Sequence, residues 1–265
     1  MINNKILLFI PVYNCAPQIK MIIKKIDNII SQVFSEIIII DNCSSDNTIN
    51  EAIKSIQELK VNKNRIKVFQ NLNNVSLGGS HKAAFQYAVK NKFDYVAVFH
   101  GDDQGDINDL VKAIKSKKYE IYDFYLGSRF LKESDVSGYS KIRIIGNIFF
   151  NQIFSIILRK KIKDLGAGVN IFNVQALSNK FYINFPNSLT FNYYLTFYIC
   201  IHNLKFNYFP HKWTETDQIS NIKIIKIINE LFLLILKLIF NKKKFFKMLK
   251  NSNTIYKLKI FYEKN

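Results

Sequence analysis

Ile6-Leu7-Leu8-Phe9-Ile10-Pro11-Val12-Tyr13-Asn14 is the stretch from which the rest of the chain can be read. Five apolar residues, a proline and then polar Asn14 describe a short buried strand that stops abruptly at a polar end. The run lacks the length and flanks of a signal peptide. Further apolar runs follow at 37–40, 66–69, 95–99, 124–126 and 169–172. Between them, helical spacing predicts helices over 18–30, 47–60, 80–90 and 107–116. This alternation belongs to the α/β class, with a mostly parallel central sheet covered by helices. Asn14, Asp41, Asp46 and the residues 100–103 all fall just after strands. Ligands of such sheets bind beyond the carboxyl ends of the strands, so these residues converge on one cleft.

The chain has 265 residues, long enough for one large domain and a short appendage, and 48% hydrophobic residues exclude a disordered chain. Lys and Arg number 38 against 20 Asp and Glu, a net charge of +18. That excess suits an acidic partner: a nucleic acid, an anionic membrane surface or a phosphorylated small molecule. Arginine occurs only at Arg65, Arg129, Arg143 and Arg159, so a compositional bias toward lysine accounts for part of the charge. No zinc-finger spacing or RNA-recognition motif is present, and acidic strand ends oppose a phosphate-backbone groove; no nucleic-acid partner is expected. Cys15, Cys43 and Cys200 have no Cys-x-x-Cys spacing, which fits a reducing cytoplasm and argues against disulfides or structural zinc.

No run of about 18 uncharged apolar residues is found, so membrane contact is expected to be peripheral, on the inner face of the cell membrane. Residues 142–158 are apolar at helical spacing and would bury themselves on their own domain, a membrane or a second copy, which leaves a homo-oligomer open. A further helix is predicted over 190–201. From 221 to 240, Lys223, Lys226, Glu230 and Lys237 oppose Ile225, Ile228, Leu231, Phe232, Ile235 and Leu238, and a run of lysines and phenylalanines follows at 242–247. The chain therefore divides into a domain over 1–218 and an amphipathic, basic segment over 219–265. The latter suits an anionic membrane surface; the plainer reading is a surface helix with solvated lysines.

Two polar clusters carry the chemistry. In Phe99-His100-Gly101-Asp102-Asp103-Gln104, Asp102 is the best candidate ligand for a divalent cation, with His100 as a second metal or nucleotide-sugar contact. The alternative is a loop of capping aspartates before the helix at 107. In the second cluster, 41–48, Asp41 can accept from a base or ribose while Asp46 caps the next helix. Asn73, Asn74, Gly78 and Gly79 read as a turn between the two clusters. His81 reads as a helix-start residue, and His211 as a marginal donor or metal contact.

In this order the motifs resemble family 2 glycosyltransferases, and among them the polyprenyl-phosphate branch. The resemblance rests on Ile10-Pro11-Val12-Tyr13-Asn14, on Asp41-Asn42-Cys43-Ser44-Ser45-Asp46-Asn47-Thr48, on Asn74-Val75-Ser76-Leu77-Gly78-Gly79 and on His100-Gly101-Asp102. It continues through Gly127-Ser128-Arg129-Phe130, Arg143, Asp164-Leu165-Gly166-Ala167-Gly168 and, more thinly, 213–221. It implies a GT-A nucleotide-sugar-binding fold, with the amphipathic helical segment C-terminal to it. Here Asn42 and Cys43 replace the family's Asp and Gly, Ser76 replaces a glycine, and His100 replaces the first carboxylate of an Asp-x-Asp motif.

By that resemblance Pro11, Tyr13, Asp41 and Gly79 would hold the nucleotide, which would be UDP- or GDP-linked. Asp102, with His100, would hold Mg²⁺ or Mn²⁺ between the phosphates. Arg129 and Arg143 would meet diphosphate or acceptor phosphate, and Asp164 would act as base or orienting group, with Asp217 and Glu215 as lesser candidates. The implied reaction transfers a sugar, with inversion, to a polyprenyl phosphate. Alternatives are transfer to a hydroxyl of a capsular or lipopolysaccharide glycan, and a noncatalytic relative that binds nucleotide or glycan.

Overall fold

In a computed structural model that describes residues 4–215, 224–241 and 254–264, the apolar runs assemble into one eight-stranded sheet with helices on both faces. In chain order the elements are β1 (Ile6–Val12), α1 (Ala16–Lys24), α2 (Asn28–Val33), β2 (Glu36–Asp41), α3 (Thr48–Glu58), β3 (Ile66–Asn71), α4 (Ser76–Lys90), β4 (Tyr95–Val98) and α5 (Ile107–Lys115). The second half contributes β5 (Phe124–Ser128), α6 (Lys141–Leu158), β6 (Asn170–Asn173), α7 (Val174–Leu177), α8 (Phe191–Ile201), β7 (Phe206–Pro210), α9 (Ile224–Asn241) and β8 (Leu258–Glu263).

The strand order is β7-β5-β6-β4-β1-β2-β3-β8. β4, β1, β2 and β3 run parallel, as do β5 and β7, whereas β6 lies antiparallel between β4 and β5 and β8 antiparallel on β3. The α/β class with a mostly parallel, helix-covered sheet is thus the observed fold. Strands buried on both faces need continuous apolar sequence, and β1 shows why: Ile6, Leu8 and Ile10 enter one core while Leu7 and Phe9 enter the other. Proline is unusual in a central strand, but Pro11 lies past the last β1–β4 pair, Phe9 with Val98. Its carbonyl accepts from Gly101 N–H at 3.0 Å. The ladder opens there, and the chain leaves β4 into the 100–103 loop.

Three local features depart from the sequence reading. The single helix expected over 18–30 is two, because Asp27 accepts from the N–H groups of Ile29 and Ile30, each at 3.0 Å, and starts α2. Both pieces face one core, so the apolar spacing runs through the break. Ser76 to Gly79, read as part of a turn, form the first turn of α4, where Gly78 N–H donates to Asn187 O at 2.7 Å. Finally, β8 lies within the stretch read as an amphipathic helical tail; Lys67 of β3 ties it down through Glu263 at 2.8 Å.

α6, α8 and α9 share a third apolar cluster of Phe154, Leu158, Phe197, Leu231, Leu234 and Leu238. Much of α6 and α9 faces outward: Ile142, Ile145, Phe149 and Ile156 are exposed on α6, and Phe232, Leu233, Ile239 and Phe240 on α9. α6 is long and apolar enough to cross a membrane by length and composition, which the sequence reading did not expect. Its charges, Lys141 and Arg143, are confined to its first turn. Lys223, Asp217 and the run at 242–247 lie outside the described residues, as do the side chains of Lys226 and Lys237.

Candidate active site

The carboxyl ends of β1, β2 and β3 meet through side-chain amides and hydroxyls. Asp41, fully buried at the end of β2, accepts from Ser44 N–H at 3.0 Å, from the Ser44 hydroxyl and from Gln70 Nε2 at 3.0 Å. The same hydroxyl accepts Asn14 N–H at 2.9 Å, and Asn14 Oδ1 accepts Ser45 N–H at 2.8 Å, so the β1 and β2 exits are stitched together. Asp46 accepts from Thr48 N–H at 3.0 Å at the start of α3, the capping role read from sequence. Tyr13, 43% exposed, stands at the mouth of this region.

Asn42 explains its own departure from the family pattern. Its Oδ1 accepts from Asn71 Nδ2 at 3.2 Å and Val75 N–H at 2.9 Å, while its Nδ2 donates to Asn74 Oδ1 at 2.9 Å. A carboxylate lacks the donor that reaches Asn74. Gly79, expected beside the donor, is buried in the first turn of α4 against Val75, where an added Cβ would stand 2.5 Å from the Val75 Cβ.

At the end of β4, Asp102 accepts from Gln104 N–H at 3.3 Å and has no ion-pair partner among the described residues. Burial pushes its carboxyl up to about 6. Neighbouring Asp103 turns away to Lys25, at 2.6 Å. An uncompensated carboxylate at a strand end fits a divalent cation, because the cation supplies the missing positive charge. Among the described residues no three His, Cys, Asp or Glu side chains cluster as a metal cage. A cation here would thus complete its shell with phosphate oxygens and water.

His100 adjoins Asp102 and seats its ring on Gly168, where an added Cβ would stand 2.7 Å from His100 Cε1. Gly127 makes the same kind of room for His211, whose Cδ2 lies 2.8 Å from the position of a Cβ. His211 Nδ1 meets Lys212 O at 2.9 Å. His81, expected at a helix start, lies inside α4 with no exposure, because the helix begins a turn earlier. Burial lowers His81 to about 3 and His100 to about 4, so both rings are neutral near pH 7.

The third corner joins distant segments. Arg129, after β5, makes a two-pronged pair with Asp164 through Nε at 2.8 Å and Nη2 at 2.9 Å. Asp164 also accepts from the N–H groups of Arg129 and Gly166, both at 3.0 Å. Burial would raise its carboxyl, but the guanidinium and these donors hold it below the usual carboxylate range. Of the two readings of Asp164, base or orienting group, this geometry suits the second, because its acceptor sites are filled by Arg129 and Gly166. The guanidinium also lies over the rings of Phe130, Tyr139 and Trp213, at 5.3, 5.5 and 5.4 Å.

Sequence reasoning missed this aromatic cage, although the single Trp of the chain sits two residues before Glu215. Trp213 N–H donates to Asp135 O at 2.8 Å, and Thr214 N–H to Gln104 O at 2.8 Å, which drapes this loop over the β4 and β5 exits. Arg143, on α6, pairs with Glu215 at the end of that loop.

The fold that carries these strand ends is shared with known proteins. The family described as Glycosyl transferase family 2 matches residues 8–183. A UDP-N-acetylglucosamine–dolichyl-phosphate N-acetylglucosaminyltransferase of Methanococcus voltae is 24% identical over 189 residues, 67% of this chain and 72% of that one. The S. aureus TarS 1–349 fragment, solved with UDP-GlcNAc, superposes with a TM-score of 0.56 at 17% identity, covering 89% of this chain and 67% of that one. Glucosyl-3-phosphoglycerate synthase from Mycobacterium tuberculosis, solved with Mn²⁺, UDP and glucosyl-3-phosphoglycerate, gives 0.58 at 10% identity, covering 99% and 88%. The chain spans about two thirds of the TarS fragment. The structural likenesses establish a GT-A fold, and the match over 8–183 carries the ordered motifs at the strand ends: the chain belongs to glycosyl transferase family 2.

Proposed function

We propose that this protein transfers a sugar from a UDP- or GDP-linked donor to a polyprenyl phosphate at the cytoplasmic face of a membrane. The observation that carries this reading is α6, which turns Ile142, Ile145 and Phe149 outward while its Arg143 reaches the loop that covers the site. An apolar face beside a phosphate-binding cation suits a lipid-linked anion. The name of the Methanococcus voltae relative, a dolichyl-phosphate transferase, supports the same acceptor class.

In this reading Tyr13 covers the base, and Asp41 holds the β2 exit and meets the nucleoside. Pro11 fixes the backbone between them. Asp102, with His100 beside it, holds Mg²⁺ or Mn²⁺, which when bound neutralises the diphosphate leaving group. Arg129, oriented by Asp164 and by Nη1 donation to the Tyr139 hydroxyl at 3.4 Å, offers its remaining Nη1 and Nη2 hydrogens to phosphate, and Arg143 exchanges Glu215 for the acceptor phosphate. An acceptor phosphate oxygen then attacks the anomeric carbon from the face opposite the diphosphate. The bond from that carbon to the leaving oxygen breaks with its electron pair, and the configuration inverts.

Asp164 and Glu215, two of the sequence candidates for a base, are both engaged by arginine. An anionic nucleophile needs no base, and this favours phosphate over a glycan hydroxyl. The test offers UDP- and GDP-sugars with Mn²⁺ and either polyprenyl phosphate or a soluble glycan, reading nucleotide release and labelled product. Labelled lipid is expected, with a loss of roughly 10²–10³-fold or more in Asp102→Asn. Product on the glycan alone would overturn the lipid acceptor, and donor hydrolysis indifferent to Asp102 would overturn the metal site.

A further inference from the structure

His81 is buried on every side, and one of its nitrogens is accounted for. Its Nδ1 lies 2.9 Å from Leu77 O, an acceptor, so Nδ1 carries the proton and Nε2 carries a lone pair. That lone pair is sealed from solvent and has no partner. Its surroundings are the rings of Phe9 at 5.3 Å, Phe191 at 5.4 Å, Phe85 at 6.0 Å and His100 at 6.1 Å. Of these four, His100 alone has a polar hydrogen to give. His100 Nε2 is likewise buried without a partner, whereas its Nδ1 is not among the sealed atoms.

Buried polar atoms are rarely left unmatched, yet Nε2 of His81, His100 and His211 all lack a partner, and the His81 and His100 rings are neighbours at 6.1 Å. We propose that His81 is a positioning residue for His100. Its Nε2 lone pair accepts from His100 Nε2–H, through one intervening water or a small approach of the rings. This fixes the tautomer of His100 that leaves the lone pair on Nδ1, available to a divalent cation held by Asp102.

Gly168 supports this arrangement by admitting the His100 ring at a distance no side chain allows. The pair also gives the replaced carboxylate a chemical equivalent. A neutral imidazole with its lone pair outward offers one ligand atom, where a carboxylate would offer an oxygen. Ligand histidines are commonly held this way, by an N–H donated from the far side of the ring. His211 is the competing acceptor: its Nδ1 is held by Lys212 O and its Nε2 is also buried without a partner, with its ring seated on Gly127 rather than Gly168.

The inference rests on the donor site proposed above, but its test does not depend on turnover. Long-range ¹H–¹⁵N spectra of the ligand-free protein at pH 7.5 report the tautomer of each histidine. His81 is expected to read as Nδ1–H and His100 as Nε2–H. In His81→Phe, which keeps an aromatic ring among Phe9, Phe85 and Phe191, His100 should become a tautomer mixture, and Mn²⁺·UDP affinity by titration should fall roughly tenfold. His81→Gln, whose side-chain oxygen can accept, should restore both.

His100 found as Nδ1–H in the wild-type protein overturns the proposal without any variant. An unchanged tautomer in folded His81→Phe overturns it too. If Mn²⁺·UDP does not bind at all, the donor reading fails while the tautomer result still decides the role of His81.

Discussion

The two halves of the sheet are held by different physics. Around β1, β2 and β3, the exits are joined without an ion pair among the described residues: Asn14, Asn42, Ser44, Gln70 and Asn71 link the three strand ends by hydrogen bonds to one another, to Asn74 and to the Asp41 carboxylate. Around β5 and β7, the joints are ion pairs between segments far apart in sequence, Arg129 with Asp164 and Arg143 with Glu215, under a roof of aromatic rings. A pocket for an uncharged base and ribose needs shape and directional hydrogen bonds. A corner that handles phosphate needs cations held in place, and a buried cation needs its own counter-charge before the substrate arrives.

The largest expected break in this contrast is Asp164→Ala. It strands Arg129, which is 7% exposed, without its partner, and removal of one member of a buried pair costs about 3–5 kcal/mol. Thermal unfolding should fall by roughly 10 °C. Arg129→Met with Asp164→Leu should recover most of that stability but no transfer activity. pH sharpens the point. The folded carboxyl lies below its unfolded value, near 4, so the pair stabilises the fold above about pH 4 and loses its contribution as pH falls through the lowered folded value. The gap between wild type and Asp164→Ala should therefore be widest near neutrality and close in acid. A gap that does not vary with pH would mean that packing, not charge, holds this corner.

A smaller loss is expected in the other half. Asn42→Ala removes acceptors from Asn71 and Val75 N–H and a donor from Asn74, at about 1–3 kcal/mol. Asn42→Asp, which restores the residue type of the family pattern, keeps the acceptors and loses the donor, so it should fall between wild type and Ala in denaturant unfolding. If Asp proves as stable as Asn, the amide donor contributes nothing here, and the amide at this position is incidental.

The same contrast separates what the sequence discloses from what it hides. Strand-end chemistry is local: Pro11, Asp41 and Asp102 each follow an apolar run directly, so the run that marks the strand also places the residue. Asp46 was legible as a cap for the same reason. The partnership of Arg129 with Asp164 spans 35 residues and depends on β6 entering antiparallel between β4 and β5, which no local pattern announces. His81 looked like a helix-start residue because Gly78 and Gly79 read as a turn; the helix starts earlier because its first turn packs on Asn187, across the fold. β8 was hidden by composition, since alternating lysines and apolar residues suit both a basic helix and an edge strand. Asp217 and the lysine run at 242–247 stay proposals of the sequence alone.

The smallest effect on stability belongs to Arg143 and Glu215, and it carries the most information about function. Both side chains are about a quarter exposed, at 29% and 24%, so solvent screens their attraction. A double-mutant cycle with Arg143→Ala and Glu215→Ala should return a coupling below about 1 kcal/mol in unfolding experiments. Activity should respond in the opposite proportion. If Glu215 merely holds the place that an acceptor phosphate takes, Glu215→Ala leaves Arg143 free and lowers the KM for polyprenyl phosphate. Arg143→Ala raises that KM, with donor hydrolysis unchanged. The two single variants then move in opposite directions with the lipid acceptor and not at all in binding of UDP. If both instead lose activity together, the pair is a strut for the Trp213 loop, and the contrast between the two halves is one of architecture rather than of substrate.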